Sequence, residues 1–421
     1  MAWQLLRNQP VSGYWPPGLP YYLAFFHMLL GGGMLVARAS ILTTYIAFSA
    51  SLYALLKMLS SRRAGNLAIA VFALYPSYIR YAFNPSTEYL SATCLLIIAY
   101  LTIRAVRYPS YRLAVPLGLA LGALALVRAN SIGLAIVIPI FLAMRTRSWR
   151  VAACTLLIPL ALISAWLWKA HDLTGRFIPI NDSNEENLVF SNHPDTPLYL
   201  TCRDCPIYGR LPPAFLKLEH EIDYKPSPER QRELQTTTIQ FVLTRPDLFA
   251  IRTFNRFRAY FRFPIHYADP LVRHSGVAAA AHRWLAIAIT IGEAAFYWPL
   301  MSLAIVSCFI FRSFSIRLDV RPILLSIAAI YALPCWFTWS EPRYAFPVIP
   351  LLAVFSFVLL ASISNSGLRN ALASVQASRW GRRAMFATLA FFFCTQLEWI
   401  VLIVCSNAMK DKWASISSFR W

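Results

Sequence analysis

Apolar runs alternate with short polar connections through most of this chain. Runs near 38–58, 65–82, 86–104, 112–128, 130–145, 150–168, 283–310, 319–339, 344–363 and 384–406 each approach the roughly 17–25 residues a helix needs to cross a bilayer. Between the sixth and seventh run the pattern gives way to a polar segment, 169–282. Ahead of the first run, "LPYYLAFFHMLL" stops at Gly31-Gly32-Gly33. About a dozen residues are too few to span and suit a helix lying at the membrane interface, where tyrosine and phenylalanine are at home. The pattern predicts an all-α polytopic membrane protein with about ten transmembrane helices, an interfacial N-terminal helix and one long external loop. It divides the chain into 1–37 with the interfacial helix, a transmembrane module 38–168, the loop 169–282 and a second transmembrane module 283–421.

Composition supports that class. The chain has 421 residues, 58% hydrophobic and only 14% charged, with mean hydropathy +0.51, outside the usual globular mix. Its net charge of +20 does not form a nucleic-acid stripe. The cations sit in clusters beside the apolar runs, and the clusters alternate. Lys57, Arg62 and Arg63, then Arg104, Arg107 and Arg112, then Arg145, Arg147 and Arg150 occupy one set of connections. Arg312, Arg317 and Arg321, then Arg369, Arg379, Arg382 and Arg383 continue it. The opposite connections hold Arg80, Arg128 and Arg343 singly. Positive clusters mark the cytoplasmic side, so segment 169–282 faces outward, and the expected location is the cell inner membrane with the large loop in the periplasm or exterior.

Several stretches, in order, resemble the GT-C glycosyltransferases that use polyprenyl-phosphate sugars, in particular the protein O-mannosyltransferase and lipid A aminoarabinose transferase branch. "YWPPGLPYYLAFFHMLLG" resembles the branch's Pro-Pro-Gly-x-Pro stretch through Pro16, Pro17, Gly18 and Pro20. "STEYL" resembles its Thr-Glu-Pro-Leu, with Tyr89 for proline. "GALALVRANSIGL" is similar to its Leu-Thr-Arg-Pro-Asn step, departing at Val127 and Ala129. "TGRFIPINDSNEENLVFSNHP" resembles an external stretch with a later Asn-Asn-Pro, with His193 for the second asparagine. "RPDLFAIRTFNRF" resembles a His-Pro-x-x-Phe helix, and "EPRYAFPVIPLLA" matches an Asp/Glu-Pro-Arg-Tyr-x-x-Pro-x-x-Pro signature at Glu341, Pro342, Arg343 and Tyr344. The resemblance implies inverting transfer from a polyprenyl-phosphate sugar to a protein or lipid-linked glycan acceptor on the outer face. In that family a first membrane helix and an external acid precede Pro-Pro-Gly, whereas residues 1–87 contain no Asp or Glu. The expectation is that Met1 is an internal methionine and that 1–37 is the remnant of the first external loop.

Transfer of this kind needs a base for the acceptor's proton and cations for the departing phosphate. Arg343 with Tyr344, then Arg128 and Arg80, are the candidate lipid-phosphate ligands, arginine matching phosphate oxygens two at a time. For Arg343 the other readings are a snorkelling side chain or a partner of Glu341, and for Arg80 and Arg128 a chance interfacial position. Glu88 is the candidate catalytic base, with a helix-start acid favoured by the macrodipole as its rival. In "TIQFVLTRPDLFAIRTFNRFRAYFRFP", Arg252 with Arg256 and Arg258 with Arg262 alternate with phenylalanines. That pattern predicts a helix on an anionic outer leaflet, the alternative being contact with the lipid phosphate. Cys202 and Cys205 could close a small disulfide loop or, with His193, hold a divalent metal. No cofactor is otherwise implied. Glu293 and Glu398 fall inside membrane runs and match no motif. Two rivals stay open: a non-catalytic lipid-phosphate-binding scaffold of the same fold, and a transporter or flippase, which should show hydropathy repeats and paired midplane acids.

Overall fold

The structure is a computed structural model describing residues 15–175, 178, 180–181, 183–201, 211–223, 227–264, 279–310, 319–373 and 379–405. It is helical throughout these residues, apart from turns and connections. In chain order the helices are α1 (Gly18–Leu30), α2 (Met34–Leu59), α3 (Arg62–Leu74), α4 (Pro76–Tyr81), α5 (Thr87–Arg107) and α6 (Tyr111–Val127). A 3-10 turn (Ala129–Ser131) leads to α7 (Ile132–Thr146), α8 (Trp149–Thr174), α9 (Ser183–Asn192), α10 (Pro213–Asp223), α11 (Pro228–Thr244) and α12 (Pro246–Tyr260). The chain continues through α13 (Ala279–Ile310), α14 (Arg321–Phe337), the short α15 (Pro342–Ala345), α16 (Ile349–Ala373) and α17 (Arg379–Cys405).

Among the described residues, Met34–Leu59, Thr87–Arg107, Ala129–Thr146, Trp149–Thr174, Ile287–Phe309 and Arg379–Leu402 are long and apolar enough to cross a membrane, and Tyr111–Val127, Arg321–Phe337 and Ile349–Ser364 are shorter apolar helices. The chain is therefore an all-α, multi-pass membrane protein. The run at 65–82 departs from the expected single helix. Pro76 has no N–H to donate and disfavours a helical residue before it, so Tyr75 turns extended (φ −75°, ψ 118°) and the run becomes α3 and α4. The loop helix is likewise two helices, parted at Arg245 ahead of Pro246. Helix α1 is present but short, with Phe25, Met28, Leu29 and Leu30 exposed.

The chain forms two compact units. The first comprises Met1–Asp182, Trp298–Ala332 and Phe346–Met385. Its closest helix pairing is α6 on α8, where Gly118 and Gly122 face Thr155, Ile158, Pro159 and Leu162. A Cβ on Gly122 would stand 2.5 Å from Leu162 Cδ1, so the absent side chains let the two helices meet, as small residues do between membrane helices. An aromatic cluster of Phe48, Phe72, Tyr78, Tyr89 and Phe346 fills the space beside α2 and α5. Tyr78 and Phe346 stack with centroids 3.9 Å apart, and each buried hydroxyl finds a carbonyl: Tyr78 donates to Phe346 O and Tyr89 to Tyr78 O.

The second unit comprises Ser183–Tyr297, Leu333–Ala345 and Phe386–Trp421. Here the structure corrects the interfacial reading of the Arg252–Arg256 pair. Both side chains are buried, at 2% and 0% exposure, and face backbone rather than a leaflet. Arg252 donates to the carbonyls of His193, Pro194 and Thr196. Arg256 donates to those of Ser191 and Phe337 and to Asn192 Oδ1. Burial pushes Arg256 down to about 9, with Arg252 adding to the effect, so the group is still cationic at neutral pH. Burying a cation is costly, and the carbonyls offset that cost at the Nη1 and Nη2 donors, while both Nε groups are buried without a hydrogen-bond partner among the described residues. Arg258 and Arg262 pair with Glu398 of α17 at 2.7 and 3.1 Å, which gives one of the two motif-free membrane acids its partners. Glu293 is buried at 2% exposure.

Candidate functional site

Three separated motifs of the first unit meet at Arg128. Helix α6 ends at Val127, and Arg128 is extended (φ −146°, ψ 110°). Its backbone is held at both ends. Its N–H donates to Leu124 O at 2.8 Å, and its carbonyl accepts from Ser131 Oγ at 2.7 Å. Asn130 of the same step donates to Tyr331 O, fixing the turn that follows. The side chain, 11% exposed, reaches the start of α5. There Nη2 meets Glu88 Oε1 at 2.9 Å, and Nε and Nη2 meet Thr87 Oγ1 at 3.2 and 2.9 Å. Glu88 does not cap its helix; Ser86 is the N-cap residue and its side chain makes no cap bond. Glu88 lies in the first turn of α5, where the macrodipole favours an acid, and its carboxylate is also the counter-ion to Arg128.

Gly18 supports this arrangement from below. Pro17 is the N-cap residue of α1, its carbonyl accepting from Tyr21 N at 2.9 Å. Pro20 sits in the first turn, where a missing N–H leaves nothing unpaired. A Cβ on Gly18 would come within 2.6 Å of Val127 Cγ2, 2.7 Å of Val127 N and 2.8 Å of Leu126 C. The Pro16-Pro17-Gly18-x-Pro20 motif therefore seats on the residues that deliver Arg128, and it needs glycine there because most of what it meets is backbone. Arg80, half-buried at the end of α4, stands over the ring of its neighbour Tyr81 at 5.7 Å.

The second unit places the other candidates. Between α14 and α15 the buried carboxylate of Glu341, 4% exposed, holds Arg343, with Oε2 to Nε at 2.7 Å, while the Arg343 side chain as a whole is 38% exposed. Arg343 also stands over the Tyr344 ring at 5.3 Å. Pro342 opens the four-residue α15 and is buried. Each of Arg128 and Arg343 is thus engaged on its Nε/Nη2 side by one carboxylate. That geometry fixes the plane of a guanidinium and aims it, and a guanidinium so aimed matches a phosphate's oxygens.

His193, the residue departing from the Asn-Asn-Pro pattern, lies beside Asp195, Nδ1 to Oδ2 at 3.4 Å. Burial lowers its pKa, Arg230 and Arg252 add to that, and Asp195 and Glu221 oppose it. Glu221 is itself held low by its hydrogen bonds to Arg230. Asn192 was signalled by the motif, but its task was not: it bridges Arg256 and Phe337 O. Cys202 and Cys205 lie outside the described residues, so neither the disulfide nor the metal alternative is placed. Among the described residues there is no group of three or more His, Cys, Asp or Glu fit to hold a metal ion.

A sequence model of the family described as dolichyl-phosphate-mannose-protein mannosyltransferase matches residues 15–168, the stretch holding Gly18, Glu88 and Arg128. A comparison with curated proteins finds no match. Among solved structures the chain is similar to ArnT from Cupriavidus metallidurans bound to undecaprenyl phosphate, at 13% identity over 86% of this chain and 73% of that one, with a TM-score of 0.40. No residue is carried across at that level of superposition.

Proposed function

We propose that this chain is a GT-C-type membrane glycosyltransferase moving a sugar from a polyprenyl-phosphate donor to an acceptor on the outer face of the inner membrane. The observation that carries the reading is the Arg128 group. The part of the chain resembling mannosyltransferases brings Gly18, Thr87, Glu88 and Arg128 together, and what they assemble is an aimed cation. In the reaction the acceptor oxygen attacks the anomeric carbon from the side opposite the phosphate. The carbon–oxygen bond to phosphate breaks, and its electron pair leaves with the polyprenyl phosphate. Guanidiniums held ready for that charge stabilise it as it develops. Arg128 is the candidate for this role in the first unit; Arg343, with Tyr344 stacked beside it, is the candidate in the second. We assign Glu88 to orienting Arg128. No carboxylate base for the acceptor's proton comes from residues 1–87, which hold no Asp or Glu.

Glu88 being engaged as the counter-ion of Arg128 favours one second reading, a protein that binds the lipid phosphate without transferring sugar. Reconstitution in proteoliposomes with a labelled polyprenyl-phosphate sugar separates the two. Label appearing in a peptide or lipid-linked glycan acceptor, and lost on Arg128→Ala, supports transfer. Saturable binding of the lipid with no transfer supports the binder, and neither binding nor transfer would sink both.

A further inference from the structure

The segment Phe337–Tyr344 carries Glu341 and Arg343, and α12 grips it at two points. Arg256 Nη1 donates to Phe337 O at 2.9 Å. Asn192, accepting from Arg256 at 3.1 Å, donates to the same carbonyl at 2.9 Å. Four residues along α12, the Tyr260 hydroxyl donates to Tyr344 O at 3.0 Å. Residues four apart share one face of a helix, so Arg256 and Tyr260 act as a two-point bracket with a fixed spacing. Within the bracket, Ser340 N donates to Thr201 O at 2.9 Å and Tyr344 N to Glu341 O at 3.0 Å. The only regular structure inside the segment is the four-residue α15, too short to keep its own conformation. Its shape is therefore held from outside, by α12 at both ends, by Thr201 at Ser340 and by the end of α14 at Phe337. Both bracket residues are fully buried, which keeps them away from any ligand that Arg343 meets.

We propose that Arg256 and Tyr260 are positioning residues for Arg343, setting where its guanidinium stands without touching the bound lipid. The inference rests on the reading of Arg343 as a ligand of the lipid phosphate. Hydrogen bonds to phosphate demand placement within about 0.5 Å, so loosening one end of the bracket weakens binding even though every group that meets the phosphate is still present. Sequence spacing had paired Arg256 with Arg252; the structure pairs its task with Tyr260.

The test is a double-mutant cycle on the full chain in nanodiscs, read by binding of polyprenyl phosphate and by thermal unfolding. Tyr260→Phe removes one hydroxyl and keeps the ring against Phe261 and Trp336. It should weaken binding about 3- to 10-fold, the size of one neutral hydrogen bond, with little change in Tm. In an Arg343→Ala background the same substitution should cost nothing further, because residues acting through one group are non-additive. Arg256→Lys should follow the same rule where the protein folds. An equal loss with and without Arg343 would make Tyr260 merely structural and overturn the proposal, as would unchanged binding in Tyr260→Phe. Arg343→Ala binding like the wild type would instead overturn the reading of Arg343, and the inference with it, so the two failures are told apart by the single variants.

Discussion

Arg256 and Arg343 are both arginines in the second unit, and they are used in opposite ways. Arg256 is wholly buried, and its donors end on the carbonyls of Ser191 and Phe337 and on Asn192. Arg343 is 38% exposed and meets one buried carboxylate. In the first unit, Arg128 follows the second pattern, with Glu88 and Thr87 on one side of its guanidinium. An arginine spent on carbonyls ties chain segments together. Arg343, steadied by the Glu341 carboxylate and partly exposed, can still meet a ligand. Charge alone does not separate the two kinds, and neither does position in a family-like motif; the chemistry of the acceptors does.

The largest effect should come from breaking the first kind. Arg256→Met strands the Ser191 carbonyl and Asn192 Oδ1 in a buried place, while Phe337 O keeps its bond from Asn192, and each buried acceptor left unpaired costs about 1–3 kcal/mol. A large drop in Tm in detergent would show it, whereas a fall below about 1 kcal/mol would mean that the carbonyls are satisfied in other ways. Next comes Glu88, where the contrast is between two substitutions. Glu88→Gln keeps an oxygen for Arg128 and should retain most lipid binding and transfer, while Glu88→Ala should lower transfer about 100-fold, the cost of losing one aimed donor at a developing charge. Equal and complete loss in both would return Glu88 to the part of a base. Gly18→Ala is smaller. Its methyl meets the Val127 backbone, and overpacking of that sort costs about 1–3 kcal/mol. Its loss of lipid binding should exceed that of Ala24→Gly, a change on the buried face of the same helix.

The smallest effect is set by His193. Its pKa is lowered on folding, so the unfolded chain binds a proton first as pH falls. Stability from this group is present above the unfolded value of about 6.5 and is lost as pH drops through the folded one. Thermal unfolding of His193→Asn should show a flatter decline between about pH 7 and 5 than the wild type; parallel curves would mean that the histidine is not the group responsible.

Much of the architecture was legible because membrane helices announce themselves by length. The apolar runs became helices, and the break at Pro76 was the departure, a local effect that run-counting passes over although the proline stood in plain sight. Arg128 and Glu88 could be named from the sequence, but not that they bond to each other, because 40 residues separate them and nothing local encodes the pairing. The loop arginines were misplaced for a related reason. A cation at helical spacing among phenylalanines has the same pattern whether it faces a leaflet or a row of carbonyls, and only the fold of 190–201 around α12 decides. Glu398 stood unexplained until Arg258 and Arg262, far away in sequence, were seen beside it. Gly18 was picked out by a motif, yet its reason, the backbone of Leu126 and Val127 packed against it, belongs wholly to tertiary contact.

The central claim is that Arg343, steadied by Glu341, binds the lipid phosphate and that the carbonyl-bound Arg252 holds the fold. The most direct test measures polyprenyl phosphate affinity and Tm side by side for Arg343→Ala and Arg252→Met in nanodiscs. The account predicts that Arg343→Ala loses affinity by at least about 10-fold, as expected for a charge-assisted bond, beyond what any loss of Tm from leaving Glu341 without this counter-ion accounts for. It predicts that Arg252→Met loses Tm first. Wild-type affinity in Arg343→Ala, or unaltered stability in Arg252→Met, would contradict it.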